Sequence, residues 1–146
     1  MTQESTVQAF LDALNSGDVN GVESVLAPDF EFEEVAGAGQ PSRAALVSEL
    51  ELIGAAFPDI QYRPVRQTSE GDRRYVEFKA IGSHRGPFLG VPPTGNLVIV
   101  SGVFNLETTE ESVRRLRLTV DFGGLRRQLL LAARATASPG ATALNE

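Results

Sequence analysis

Hydrophobic positions in the first third of the chain recur at helical spacing. Val7, Phe10, Leu11 and Leu14 share one face of residues 5–16, where Ser5 or Thr6 can cap the start and Gly17 the end. Asp18 caps a short second helix carrying Val22, Val25 and Leu26, which Pro28 stops. Residues 30–35 alternate aromatic and acidic side chains, the period of a short strand. After a loop with Gly37, Gly39 and Pro41, Ser42 opens a longer helix. Its Leu46, Leu50, Ile53 and Phe57 form one apolar stripe, and Pro58 ends it.

Beyond Pro58 the pattern changes. Residues 60–68, 73–83, 96–107 and 112–121 are β-branched or aromatic-rich runs, each read as a strand. Turn chemistry separates them: Glu70-Gly71-Asp72, the Gly/Pro-rich residues 86–95, and residues 108–111. A last helix over 124–135 carries Leu125, Leu129 and Ala132, and the small, polar residues 136–146 read as a flexible tail. Residues 1–135 are therefore expected to form one α+β domain. Its curved antiparallel sheet wraps around the N-terminal helices, with a short helix at the C-terminal end. A sheet rolled in this way makes a cone, and the interior of a cone favours a buried ligand pocket over a flat binding surface.

Composition narrows the chemistry. Thirteen basic against nineteen acidic residues, a formal charge of −6, argue against a nucleic-acid partner. With no cysteine, thiolate catalysis and Cys-ligated metals are excluded, and a single histidine excludes a multi-histidine site. Neither a metal nor a cofactor is expected. No apolar run approaches membrane-spanning length and the N-terminus lacks signal-peptide character, so no membrane partner and a cytoplasmic location are expected.

The stretch from Phe57 to Leu129 resembles the SnoaL-like polyketide cyclases, within the larger group of cone-shaped folds that includes nuclear transport factor 2 and ketosteroid isomerase. The residues that carry the resemblance are Phe57-Pro58-Asp59-Ile60, then Gly82-Ser83-His84-Arg85-Gly86, then Gly90-Val91-Pro92-Pro93-Thr94-Gly95. Asp121, Gly124-Leu125 and Gln128-Leu129 close the pattern in the same order. The resemblance implies the NTF2-like cone. It also implies a cofactor-independent enzyme of aromatic polyketide metabolism, in antibiotic or other secondary metabolism, that closes a ring by an aldol-type step. The ligand would be a small, hydrophobic, aromatic or polyketide-like molecule.

Asp121 is the implied general base, sheltered in an apolar pocket, where burial raises its affinity for a proton. The residues alone offer another role, the N-cap of the last helix. Strand alternation likewise places Asp121, Thr119, Arg117 and Arg115 on one face, with Val120, Leu118 and Leu116 opposite. On pattern alone the leucine face is the core. The resemblance implies the reverse, with Asp121 pointing inward and Leu116, Leu118 and Val120 on an outer face buried in a homodimer or higher oligomer. Arg117 stands where the family usually has a large aromatic. It would either hold Asp121 ionised or grip a ligand oxygen.

His84 is read either as a donor to a substrate oxygen or as a tie between its loop and the backbone, with the tie favoured. Glu33 is read as a solvent-facing acid, and Glu34, sharing parity with Phe30 and Phe32, as a second pocket acid. The loop 86–95 is read either as a lid, with Phe88 or Leu89 touching ligand, or as a crossing loop that plugs its own hydrophobics into the core. Phe10, Leu14, Phe57 and Phe104 are core residues that also become pocket-wall candidates, because core and pocket share composition. Three alternatives stand beside the cyclase. One is a non-catalytic carrier or self-resistance protein for a hydrophobic metabolite, favoured by Arg117 and the lack of a clear second acid. The others are a SnoaL-like hydroxylase and, less well supported, an epoxide hydrolase or isomerase, since residues 96–107 contain neither Arg nor Asp.

Overall fold

The structure, a computed structural model, describes residues 2–34 and 43–137, leaving out the side chains of residues 34, 136 and 137. Of the expected tail, residues 136 and 137 belong to the last helix, and residues 138–146 lie outside the described residues. Two helices, α1 (Gln3–Asn15) and α2 (Val19–Ser24), then β1 (Leu26–Glu34) and a third helix, α3 (Arg43–Ala56), precede three long strands and a short one. These are β2 (Gln61–Glu70), β3 (Arg73–Ser83), β4 (Leu97–Thr108) and β5 (Val113–Val120), and α4 (Phe122–Ala137) follows. The α+β class and the curved sheet hold as read from the sequence.

The sheet runs β1-β5-β4-β3-β2. It is mixed, not wholly antiparallel as expected: β1 lies parallel to β5, while the other three pairings are antiparallel. Hairpins force the direction of β2 to β5, but β1 reaches its neighbour only after a helix and three strands, so no turn fixes its sense. Two local expectations also change. Pro28 does not stop α2, which ends at Ser24. It lies inside β1, an edge strand whose register is irregular between Leu26 and Glu31, and there a missing N–H is tolerated. The cap of α1 is Thr2, three residues ahead of Ser5. Ser5 is the reciprocal partner in a capping box, its N–H donating to Thr2 Oγ1 at 3.0 Å.

The alternation of β5 follows the residues and not the resemblance. Leu116 and Leu118 are buried, 1% and 6% exposed, while Arg115, Arg117 and Thr119 face out. Burying two leucines is worth roughly 3–6 kcal/mol, whereas turning arginines into the core would strand their charge. These leucines are covered by their own chain and supply no reason for a second subunit.

The inner face of the sheet and the buried stripe of α1 form one hydrophobic cluster, in which Phe10 meets Phe104 edge-on and Phe104 stacks on Phe78 at 4.4 Å. Gly102 makes room for that stack, since a Cβ there would lie 2.5 Å from the Phe78 ring. A second, smaller cluster unites Phe57, Phe88, Val91, Val98, Leu125 and Leu129 at the other end of the sheet.

Candidate functional site

A narrow cleft, with about 50 Å³ of its interior open to water-sized guests, lies at the seam between the two clusters. α3 and the turn after it supply Ile53, Phe57 and Ile60; β2 and β3 supply Tyr62, Phe78, Ala80 and Gly82. Val98 and Val100 of β4, Leu118 and Val120 of β5, Phe122 and Leu125 around α4, and Phe88 of the loop complete the wall. Tyr62 alone among these carries a polar side-chain group. A second cleft, between α1, α2 and α3, shares Ile53, Ile60 and Tyr62 with the first, so these three form a partition between the two.

Asp121 stands outside this cleft. Its side chain is exposed and accepts the Gly124 N–H at 2.9 Å, while its carbonyl accepts Leu125 N–H at 3.0 Å, the geometry of an N-cap on α4. It borders instead a shallow depression on the outer sheet face with Lys79, Ser101 and Thr119. The expected inward orientation is thus corrected: residue 121 shares the solvent-facing parity of Arg115 and Arg117. Arg117 belongs to that face too, its Nε 3.9 Å from Glu33, beside Arg115 and Glu31 at 2.8 Å. It therefore neither reaches into the cleft nor takes Asp121 as its ion-pair partner among the described residues. Glu33 faces solvent as expected. Glu34 as a pocket acid rests on a side chain outside the described set.

Replacing Asp121 by alanine is expected to lower stability by about 1 kcal/mol, as loss of a cap does, whereas asparagine, an equally good cap, should be nearly neutral. Urea unfolding of the two variants checks this.

His84 is fully buried, on the inward face one step beyond Gly82, but it does not line the cleft. Its ring lies 5.6 Å from that of Phe57. Thr94 donates its N–H to Nδ1 at 3.3 Å, which assigns the proton to Nε2, and the Thr94 hydroxyl is 3.1 Å from the same nitrogen. His84 N–H donates to Asn96 O at 2.9 Å, and Gly95 N–H donates to His84 O at 2.7 Å. The histidine thus ties down both ends of the 86–95 loop. Its neighbours explain the rest of the G-x-H-x-G run. Gly82 lets Phe57 and the Ile60 backbone approach, and Arg85 and Gly86 N–H groups both donate to Ala56 O, satisfying the end of α3. The motif is a joint between α3, β3 and the loop.

Burial lowers the His84 pKa from its ordinary 6.5, and the Gly86 backbone only partly offsets this. A base with a lowered folded-state pKa contributes stability that is whole above the unfolded value. That contribution is lost as pH falls, because the unfolded chain takes the proton first. Stability should therefore decline below about pH 6.5, and the His84→Gln variant should decline less steeply over pH 5–7 in urea titrations. Asp59 is shifted in the same direction for the opposite reason, since here the charged form is favoured. Hydrogen bonds from the Ser83 backbone and side chain, the backbone one 2.7 Å long, hold its carboxyl below the usual range.

Of the apolar candidates, Phe57 and Phe88 line the cleft, their rings 5.3 Å apart. Phe10 and Phe104 are core, and Leu14 reaches only the second cleft. The loop folds Phe88 and Val91 into the wall through a tight turn closed by reciprocal backbone hydrogen bonds. Leu89 and Gly90 occupy its centre with φ of 51° and 78°. Leu89 there is in an uncommon conformation for a branched residue, and with Leu52 and Glu49 it lines an open depression that shares Phe88 and Phe122 with the cleft and is taken as its mouth. Sequence reasoning passed over Tyr62, Ile53, Val98 and Val100. Tyr62 carried one usable signal, an inward aromatic opposite polar neighbours at the start of a strand.

Among the described residues no helix is long and apolar enough to cross a membrane, and no cluster of potential metal ligands occurs. A family model for SnoaL-like polyketide cyclases matches residues 4–129. AclR from Streptomyces galilaeus, a candidate hydroxylase, is 25% identical with a TM-score of 0.79 over 87% of this chain and 83% of its own. A candidate SnoaL-like polyketide cyclase from Jannaschia sp. CCS1 is 22% identical, TM-score 0.78, over 87% and 90%. IdmH from Streptomyces antibioticus, a candidate polyketide cyclase, is 21% identical, TM-score 0.74, over 94% and 99%. Curated proteins gave no match. With the family model spanning both clusters and the cleft between them, the chain belongs to the SnoaL-like polyketide cyclase family.

Proposed function

We propose that the chain holds one edge of a slim, flat, largely apolar metabolite of the aromatic polyketide kind in the cleft, whose side-chain walls part to admit it, as a carrier or sequestering protein. The observation that carries this reading is the lining itself: thirteen of the fourteen wall residues offer only hydrocarbon or backbone. A surface of that kind gains affinity by apolar burial and supplies no side-chain carboxylate or imidazole as base. Asp121 caps α4 on the far side of the sheet, which removes support from the aldol mechanism with that residue as base. Larger ligands would extend past the mouth over Leu89 and Phe122.

A second reading keeps an enzyme in the same cleft. The likeness to AclR, a candidate hydroxylase, favours chemistry on a bound ring. The two readings separate on a panel of aromatic polyketides. A carrier raises its melting temperature with ligand and returns the compound unchanged, whereas an enzyme releases a new product. Asp121→Asn adds a sharper test, since it keeps the cap. Ligand affinity and any turnover should be unchanged. A collapse of turnover at constant affinity would restore the base.

A further inference from the structure

The geometry points to Tyr62 as the hydrogen-bond donor that fixes an oxygen acceptor, a ring carbonyl above all, on the ligand in the apolar cleft. This rests on the cleft being a ligand site, as proposed above, and names the chemical feature that it selects.

Tyr62 opens β2 and is 7% exposed. Its backbone is pinned on both sides by one residue of α1: Tyr62 N–H donates to Asn15 Oδ1 at 2.7 Å, and Asn15 Nδ2 donates to Tyr62 O at 3.0 Å. Its ring packs against both members of the Phe78–Phe104 stack, at 5.5 Å and 5.7 Å. Position and orientation are therefore fixed before any ligand arrives, which removes an ordering cost from binding. The hydroxyl has no hydrogen-bond partner among the described residues, the bonds of this residue being those of its backbone. It is not sealed from solvent, since the fully buried unpaired side-chain polar atoms among the described residues are Arg74 Nε, His84 Nε2 and Asn105 Oδ1. It is the one polar side-chain group of the lining and no wall residue competes for it, so an acceptor on a bound ligand is its natural partner.

The group is also held in its donor form. Burial, with the Glu49 carboxylate adding to it, pushes the phenol well above its ordinary pKa of 10.0. A neutral O–H suits a carbonyl or ether oxygen. A carboxylate ligand is less suited, since no basic residue lines the cleft.

The test compares two bicyclic probes that differ by one carbonyl, 1-tetralone and tetralin, on the full chain and on Tyr62→Phe. The wild type should bind tetralone about tenfold more tightly than tetralin, as a site with an unpaired donor does. Tyr62→Phe should bring the ratio near unity while tetralin affinity stays or improves. The bound tetralone carbonyl stretch should move to lower frequency in the wild type and return in the variant. Incorporated 3-fluorotyrosine gives a second readout that needs no substitution at the site, because the chain has only two tyrosines. The Tyr62 fluorine signal should shift with tetralone and hardly with tetralin. A preference for tetralone that survives in Tyr62→Phe, or equal binding of both probes by the wild type, overturns the assignment and leaves the cleft as a ligand site. Failure of the wild type to bind either probe overturns the ligand site itself, and the assignment with it.

Discussion

Gly86→Ala is expected to lower the urea midpoint by an amount equivalent to about 3 kcal/mol, with the slope unchanged. A Cβ at this position would lie 2.4 Å from Ala55 O and 3.1 Å from Ala56 Cα. Both obstacles are backbone at the end of a helix, so neither a rotamer change nor a small side-chain shift relieves the contact. The only escape is to lift the loop from α3, and that gives up the Arg85 and Gly86 hydrogen bonds to Ala56 O, 2.8 Å and 3.1 Å long. Lifting the loop also drags on His84 and Phe88, so the variant should lose ligand affinity together with stability. A variant as stable as the parent would show that the joint is looser than its geometry implies.

Phe57→Ala should cost about 3–5 kcal/mol, the range for a buried phenylalanine whose site cannot collapse. The residue is 3% exposed, ends the stripe of α3, and touches the His84 and Phe88 rings. His84 and Phe88 beside it are held by backbone hydrogen bonds, which limits relaxation into the void. Here the ligand readout should separate from stability. The cleft gains the volume of a ring, so a bulkier aromatic should bind the variant better than it binds the parent. Thermal shifts with a size series of aromatics measure both effects at once.

Secondary structure was legible where period and punctuation agree. β3 was read as 73–83 and is Arg73–Ser83, because Glu70-Gly71-Asp72 and the Gly86 turn frame an unbroken run. Asp18 caps α2 as read, through its Oδ1 and Gly21 N–H at 2.9 Å. At β5 the residues and the resemblance disagreed, and side-chain alternation decided correctly: two leucines outweigh an aspartate whose helix-capping role was visible in Asp121-Phe122-Gly123-Gly124. The orientation of β1 was not legible, since nothing local sets the sense of strands joined over such a distance. The cleft was only half legible. Phe57 and Phe88 were named among its walls, but so were Phe10 and Phe104, which face other rings. A phenylalanine against protein and one against a void have the same sequence signature, and only tertiary packing distinguishes them.

The placing of the cleft between two separately packed clusters has a mechanical consequence. Ile60 and Val100 pack against both, and β4 runs through both, carrying Phe104 in one and Val98 in the other. A guest lodged at that seam would act as mortar, and its occupancy is expected to steady both packed halves and not the mouth alone.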